Sequence, residues 1–187
     1  MSKKDDIINT ALRLFNSYSY NSIGVDRIIN ESGVAKMTFY KHFPSKEKLI
    51  EECLLLRNTL LQNSLTAALS KHDELDPLAR IKAVFLWYSD WFNSEDFNGC
   101  MFQKALEEVL KQYPSTHQPA TVYKAWLTQL MQNLLNQYDV KEPVPLSLLL
   151  VNILEGMTIQ AQVEHGSIKI NDYWTRVEKL IDFERAA

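Results

Sequence analysis

Gly33 constrains this chain more than any other residue. It stands between two short apolar-periodic runs, Val25-Ile28-Ile29 and Val34 to Phe43, neither long enough to form a stable helix alone. Glycine is the residue best able to take the left-handed backbone that stops a helix. The second run predicts a helix from Lys36 to His42, closed by Pro44-Ser45. Proline disfavours helical geometry in the residue before it, and the Ser45 hydroxyl is placed to cap the next helix. Two short helices around Ser32-Gly33-Val34-Ala35 make a helix-turn-helix, a unit that places its second helix in a major groove.

Upstream, Ile7, Ile8, Ala11, Leu12, Leu14 and Phe15 recur at the spacing of one helix face and predict a first helix. Downstream, apolar residues from Leu49 to Leu69 continue without a breaker from Lys46 to about Ser70. Such a helix is on the order of 35–40 Å long, longer than a small three-helix head, so it must reach out of it. After a polar break at Lys71 to Asp76, with Pro77 opening the next helix, helical patterns cover roughly 78–94, 99–112, 119–137, 146–165 and 171–185. Alternating β-branched runs are missing, and five Gly and six Pro in 187 residues are too few for a loop-rich β fold. The expected fold is all-α with about nine helices: a three-helix head, a long connecting helix and a helical body, divided as 1–48 and 49–187.

Charge is segregated along the chain. The formal net charge is -3, yet residues 1–50 hold eight basic and five acidic residues, leaving twelve against eighteen for the rest. A basic head on an acidic remainder fits a chain with a nucleic-acid-binding head and an unrelated body. No stretch reaches the ~18 apolar residues of a membrane span and no apolar leader is present, so the expectation is a cytoplasmic protein without a membrane partner. Cys53 and Cys100 make no disulfide framework, and the four His show no metal-ligand spacing. Neither a metal nor a cofactor is expected, and no catalytic set is found.

The head resembles the TetR family of bacterial transcription regulators. The residues that carry the resemblance are Ile8-x-x-Ala11-Leu12-x-Leu14-Phe15, Val25-x-x-Ile28, and the ungapped string Ser32-Gly33-Val34-Ala35-Lys36-Met37-Thr38-Phe39-Tyr40-Lys41-His42-Phe43-Pro44-Ser45-Lys46-Glu47-x-Leu49. It covers about residues 5–52. Departures are Ser19 where the family has Gly, Ile23 and Gly24 where it has hydroxyl residues, and Ile29 and Ser32 where it has alanine; they bear on the capping and packing of the second helix. The resemblance implies a DNA-binding regulator, a repressor released from a near-palindromic double-stranded operator by a small effector. It also implies that the body binds that effector and forms a homodimer.

Physical chemistry supports each role independently. On a two-turn helix Val34, Phe39 and Phe43 can point inward and meet Phe15 and Ile28. Lys36, Met37, Thr38, Lys41 and His42 then face outward: cations, a hydroxyl, an imidazole and an apolar tip for thymine methyls, suited to base edges and phosphates. The resemblance assigns Tyr40 and Lys46 mainly to phosphates, and both can donate to an oxyanion near a helix start. Arg27, Lys3 and Lys4 are lesser phosphate candidates.

In the body, aromatics concentrate in residues 85–102 and recur later. Trp87, Tyr88, Trp91, Phe102, Tyr123, Trp126 and Met157 are the candidate lining for a largely hydrophobic effector, with a filled core as the bland alternative. Two apolar patterns are candidates for the dimer surface: Val122, Trp126, Leu127, Leu130, Leu134 and Leu135, then Leu149, Leu150, Ile153, Leu154, Met157 and Ala161, paired as a four-helix bundle. Gly99-Cys100 resembles a pair at the start of a body helix in such regulators, with Gly99 at a bend and Cys100 a small apolar residue rather than a redox switch. The alternatives are a helical partner-binding module, a thiol-responsive regulator, and a small helical enzyme using His165 with Glu164 or Glu155. No nucleophile elbow, phosphate loop or metal spacing supports the last.

Overall fold

The computed structural model describes residues 2–186. Its helices are α1 (Lys3–Ser17), α2 (Val25–Ser32), α3 (Lys36–His42), α4 (Lys46–Leu69), α5 (Pro77–Phe92), α6 (Met101–Glu108), α7 (His117–Gln137), α8 (Pro143–Val163) and α9 (Ile170–Ala186), with a 3-10 turn at Pro114–Thr116 before α7. No strand occurs among the described residues, as the periodicity predicts.

Local chemistry sets most of the boundaries. α1 begins ahead of its first apolar position because Ser2 and Asp5 cap each other: the Asp5 N–H donates to Ser2 Oγ at 3.2 Å and the Ser2 N–H to the Asp5 carboxylate at 2.8 Å. α2 stops at Gly33, whose φ of 65° is left-handed and whose N–H reaches the Ile29 and Asn30 carbonyls. Ser45 Oγ accepts the Lys48 N–H at 3.1 Å and starts α4. Asp76 accepts from the Ala79 N–H at 2.9 Å, ahead of Pro77 in the first turn of α5.

Two boundaries differ from expectation. α8 starts at Pro143, inside the stretch Lys141 to Pro145 that reads as a separator. Pro143 and Pro145 lie in the first turn, where the backbone N–H groups have no intrahelical acceptor and none is lost. α6 ends at Glu108, short of 112. Pro114 holds Tyr113 out of helical geometry (φ -129°, ψ 76°), and residues 109–113 close instead as a turn, with the Tyr113 N–H on the Val109 carbonyl at 2.7 Å.

The chain forms two compact units, a partition different from 1–48 and 49–187. The first holds the described residues through Leu61 together with Cys100–Tyr123, so α6 packs with the head helices. Its core includes Ile7, Leu14, Phe15, Tyr20, Ile28, Phe39 and Phe43, all fully buried. The second holds Gln62–Gly99 and the chain from Lys124 onward. There α5 packs on α8 and α9, burying Phe85, Phe92, Met131, Leu150, Leu154 and Ile181.

This packing corrects the candidate dimer face. Leu127, Leu134, Leu135, Leu150, Leu154, Met157 and Ala161 lie in the core of the second unit. α8 is apolar nearly all round, so its sequence cannot say which face a core takes and which a partner takes. The outward apolar side chains are Val144, Leu148, Leu149, Ile159 and Val163 on α8 and Val122 on α7. By length and composition α8 could cross a bilayer, contrary to the expectation that no segment could. Here Leu146, Leu150, Val151, Leu154 and Met157 bury it as a core helix.

Candidate nucleic-acid interface

α3 is short, and its orientation is set by two aromatic anchors one turn apart. Phe39 and Phe43 are fully buried with ring centroids 6.0 Å apart, and the Phe43 N–H closes on the Phe39 carbonyl at 2.8 Å. Val34 is buried beside the turn. With that face inward, Lys36, Met37, Tyr40, Lys41 and His42 are exposed and Thr38 is half-buried. Met37 is 86% exposed, an apolar tip that nothing in the free chain covers. Tyr40 packs its ring edge-on against Phe39 at 5.3 Å and remains exposed.

Carboxylates of α2 already hold several of the cations. Lys36 Nζ lies 3.3 Å from Asp26. Glu31 accepts from Arg13 at 2.7 Å and Arg27 at 2.8 Å, and Arg27 also stacks over the Tyr18 ring at 4.7 Å. The Arg27 and Arg13 guanidiniums hold the Glu31 carboxyl below its ordinary range. Lys3 pairs with Asp6 and Lys4 with Glu52, Lys4 also lying over the Phe43 ring. Lys41 has no carboxylate partner among the described residues.

Lys46 is placed differently from the other candidates. Its ammonium donates to the Tyr20 carbonyl at 2.5 Å and is half-buried; burial lowers its pKa, with Glu108 acting against the shift. In the free chain it therefore secures the segment between α1 and α2. Lys104 and Glu108, which bind that same segment, carry no signal in the head sequence; only the folded chain brings them there. Gly24, at the N-cap of α2, makes no side-chain cap, as its departure from the hydroxyl pattern implies.

The seven candidate effector residues do not share a compact unit. Phe102 and Tyr123 stack at 5.0 Å in the first. Trp87, Tyr88 and Trp91 cluster with Phe92 and Phe97 in the second, where Met157 is core and Trp126 packs against it. Of the seven, only Trp87 lines a cleft of about 420 Å³ between α4 and α5, which also presents Ala67, Ala83, Leu86, Lys71, His72 and Asp90. The Trp87 indole N–H donates to Ser64 Oγ at 3.0 Å. Gly99 takes a positive φ of 80°, as a bend requires, and Cys100 is half-buried at the start of α6. For the enzyme alternative, the Glu155 carboxylate is engaged by Lys124 at 3.0 Å and His165 rests against Phe97.

Comparison with known proteins agrees with this geometry. The family model described as "Bacterial regulatory proteins, tetR family" matches residues 7–53. The HTH-type transcriptional regulator LmrA of Bacillus subtilis is 30% identical over 126 residues, 66% of each chain. The uncharacterized HTH-type transcriptional regulator YxaF of Bacillus subtilis is 26% identical over 157 residues, 82% of this chain and 81% of that one. Among solved structures, SCO4454, a TetR-family transcriptional regulator from Streptomyces coelicolor, superposes with a TM-score of 0.85 at 24% identity, covering 98% of this chain and 96% of its own. With an outward α3 on a buried aromatic pair and this likeness to known regulators, the chain belongs to the tetR family of bacterial regulatory proteins and is a helix-turn-helix transcriptional regulator.

Proposed function

We propose that this regulator is a cytoplasmic repressor that binds a near-palindromic operator as a two-fold dimer and leaves it when a small, largely hydrophobic effector binds the body. The observation that carries the reading is the outward face of α3, with Met37 and Lys41 uncommitted beside a half-buried Thr38. Lys36, Met37 and Thr38 take base edges, Lys41 and His42 serve bases and phosphates together, and Tyr40 and Arg27 take phosphates. In the free chain the Lys46 ammonium donates to the Tyr20 carbonyl and the Arg27 Nε to Glu31, and each cation has further N–H groups that can turn to a phosphate. Residues 1–48 read DNA in this scheme, and 49–187 dimerise and bind the effector.

One head makes too few phosphate contacts for strong binding at cellular salt, and pairing doubles them. Leu148, Ile159 and Val163 on α8 supply the apolar stripe for that pairing. Gly156 lies on the same outward side, with nothing within 4 Å of an added Cβ, which allows close helix approach. The two α3 helices then enter successive major grooves about 34–36 Å apart. Release requires an effector that binds the two head spacings with different affinity. A fluorescence assay of operator binding tests this: a ligand that raises the melting temperature must also weaken DNA binding. Operator affinity indifferent to every stabilising ligand would sink the coupling.

A further inference from the structure

The turn from α1 to α2 is held from outside the helix-turn-helix by one face of the eight-residue α6. Met101, Lys104, Ala105 and Glu108 recur at helical spacing and point to the same side. Lys104 Nζ donates to the carbonyls of Phe15, Asn16 and Tyr18 at 3.1, 3.0 and 3.2 Å. These belong to the C-terminal end of α1, where carbonyls lack intrahelical partners and the last turn has no basic residue of its own. The Glu108 carboxylate accepts the Ser19 hydroxyl and the Tyr20 N–H, both at 2.7 Å, while its main-chain carbonyl accepts Asn21 Nδ2 at 3.1 Å. Tyr20 is fully buried, its hydroxyl on the Met101 carbonyl at 3.0 Å and its ring 4.8 Å from Phe15.

We propose that Lys104 and Glu108 are positioning residues for DNA recognition: α6 grips residues 15–21, and the pose of α2 and α3 follows the position of α6. Hydrogen bonds to charged groups weaken steeply with distance and angle, so a shift of α6 by about 1 Å breaks several together rather than stretching each a little. Neither residue touches DNA in this account; both act through the segment that leads into α2. The inference rests on the reading that α3 is the DNA-facing helix.

The test uses the full chain with Lys104→Met and Glu108→Gln, which keep side-chain size, and Lys104→Arg, which keeps the cation. Two probes are compared: the operator selected by the wild-type protein from a random pool, and a random duplex. Amide hydrogen exchange over residues 18–22 is read in parallel. The expected result is faster exchange at Tyr20 in the first two variants and operator binding weakened about tenfold or more, because a charged partner of buried backbone groups is lost. Random-duplex affinity stays within about threefold, because the phosphate contacts are untouched. Lys104→Arg restores operator binding to within about threefold of wild type. Operator affinities within about twofold of wild type in all variants, or equal losses on both duplexes, would overturn the proposal. A wild-type chain that ignores both duplexes would instead overturn the DNA reading beneath it.

Discussion

Lys41→Ala is the cleanest perturbation of the reading face. Lys41 is exposed on α3, has no carboxylate partner among the described residues, and packs no core, so its removal changes charge with little effect on the fold. Each phosphate contact contributes about 0.9 to the slope of log affinity against log salt, so a dimer that loses one contact per head loses about 1.8. Between about 50 and 200 mM salt, a slope change of that size alters the ratio of wild-type to variant affinity about twelvefold, with the larger deficit at low salt. Fluorescence anisotropy with a labelled operator across that range reads it directly. Met37→Ala is the internal control: it removes an apolar tip without charge, so its log–log line stays parallel to wild type while preference for thymine-containing half-sites falls. If Lys41→Ala also gives a line parallel to wild type, the phosphate role of Lys41 and the division of labour on α3 are both wrong.

Other expectations follow from particular residues. Gly33→Ala introduces a Cβ that meets nothing within 4 Å, so its cost is conformational alone. That cost is about 1 kcal/mol, seen as a melting temperature lower by about 2–4 °C. Gly24→Ser raises the melting temperature, because it supplies the missing side-chain cap to α2 and removes glycine flexibility from the unfolded chain. Ile159→Lys halves the mass read by analytical ultracentrifugation and weakens operator binding by on the order of a hundredfold, while the helical circular dichroism stays unchanged. The Glu31 carboxyl sits below its ordinary value of 4.5 in the folded chain. Its stabilising contribution is therefore whole above pH 4.5, fades as pH falls through the lower folded value, and is missing from the urea midpoints of Glu31→Gln across that window. Burial raises the Cys53 thiol far above its usual range while Cys100 stays half-buried, so a thiol reagent labels Cys100 first in the native chain.

The head was legible because its stops are local. Gly33 and Pro44-Ser45 punctuate α3 so closely that the residues predicted for it, Lys36 to His42, are those observed. Phe39 and Phe43, four apart between polar neighbours, could only face inward together. The body was legible as helices but not as faces. α8 carries apolar residues around most of its circumference, and only packing against α5 separates Leu150 and Leu154, which are core, from Leu148 and Ile159, which are not. Lys46 shows the same limit at the interface. As a lysine near a helix start it reads as a phosphate ligand, but its use on the Tyr20 carbonyl depends on how the turn before α2 folds back. Lys104 and Glu108 lie more than eighty residues from the groups they bind, and no helical period links them. The first turn of α8 was misread for a different reason: Pro143 and Pro145 look like breakers unless their position at a helix start is known.

The central claim is that the outward side chains of α3 are presented to duplex DNA as a symmetric pair. Selection of bound sequences from a random double-stranded pool, using the purified full chain, tests it most directly. The account predicts an inverted repeat whose half-site centres lie about one helical turn apart, and loss of that enrichment on Thr38→Ala with Lys36→Ala. Enrichment of a single asymmetric site, or of none at low salt, would contradict it.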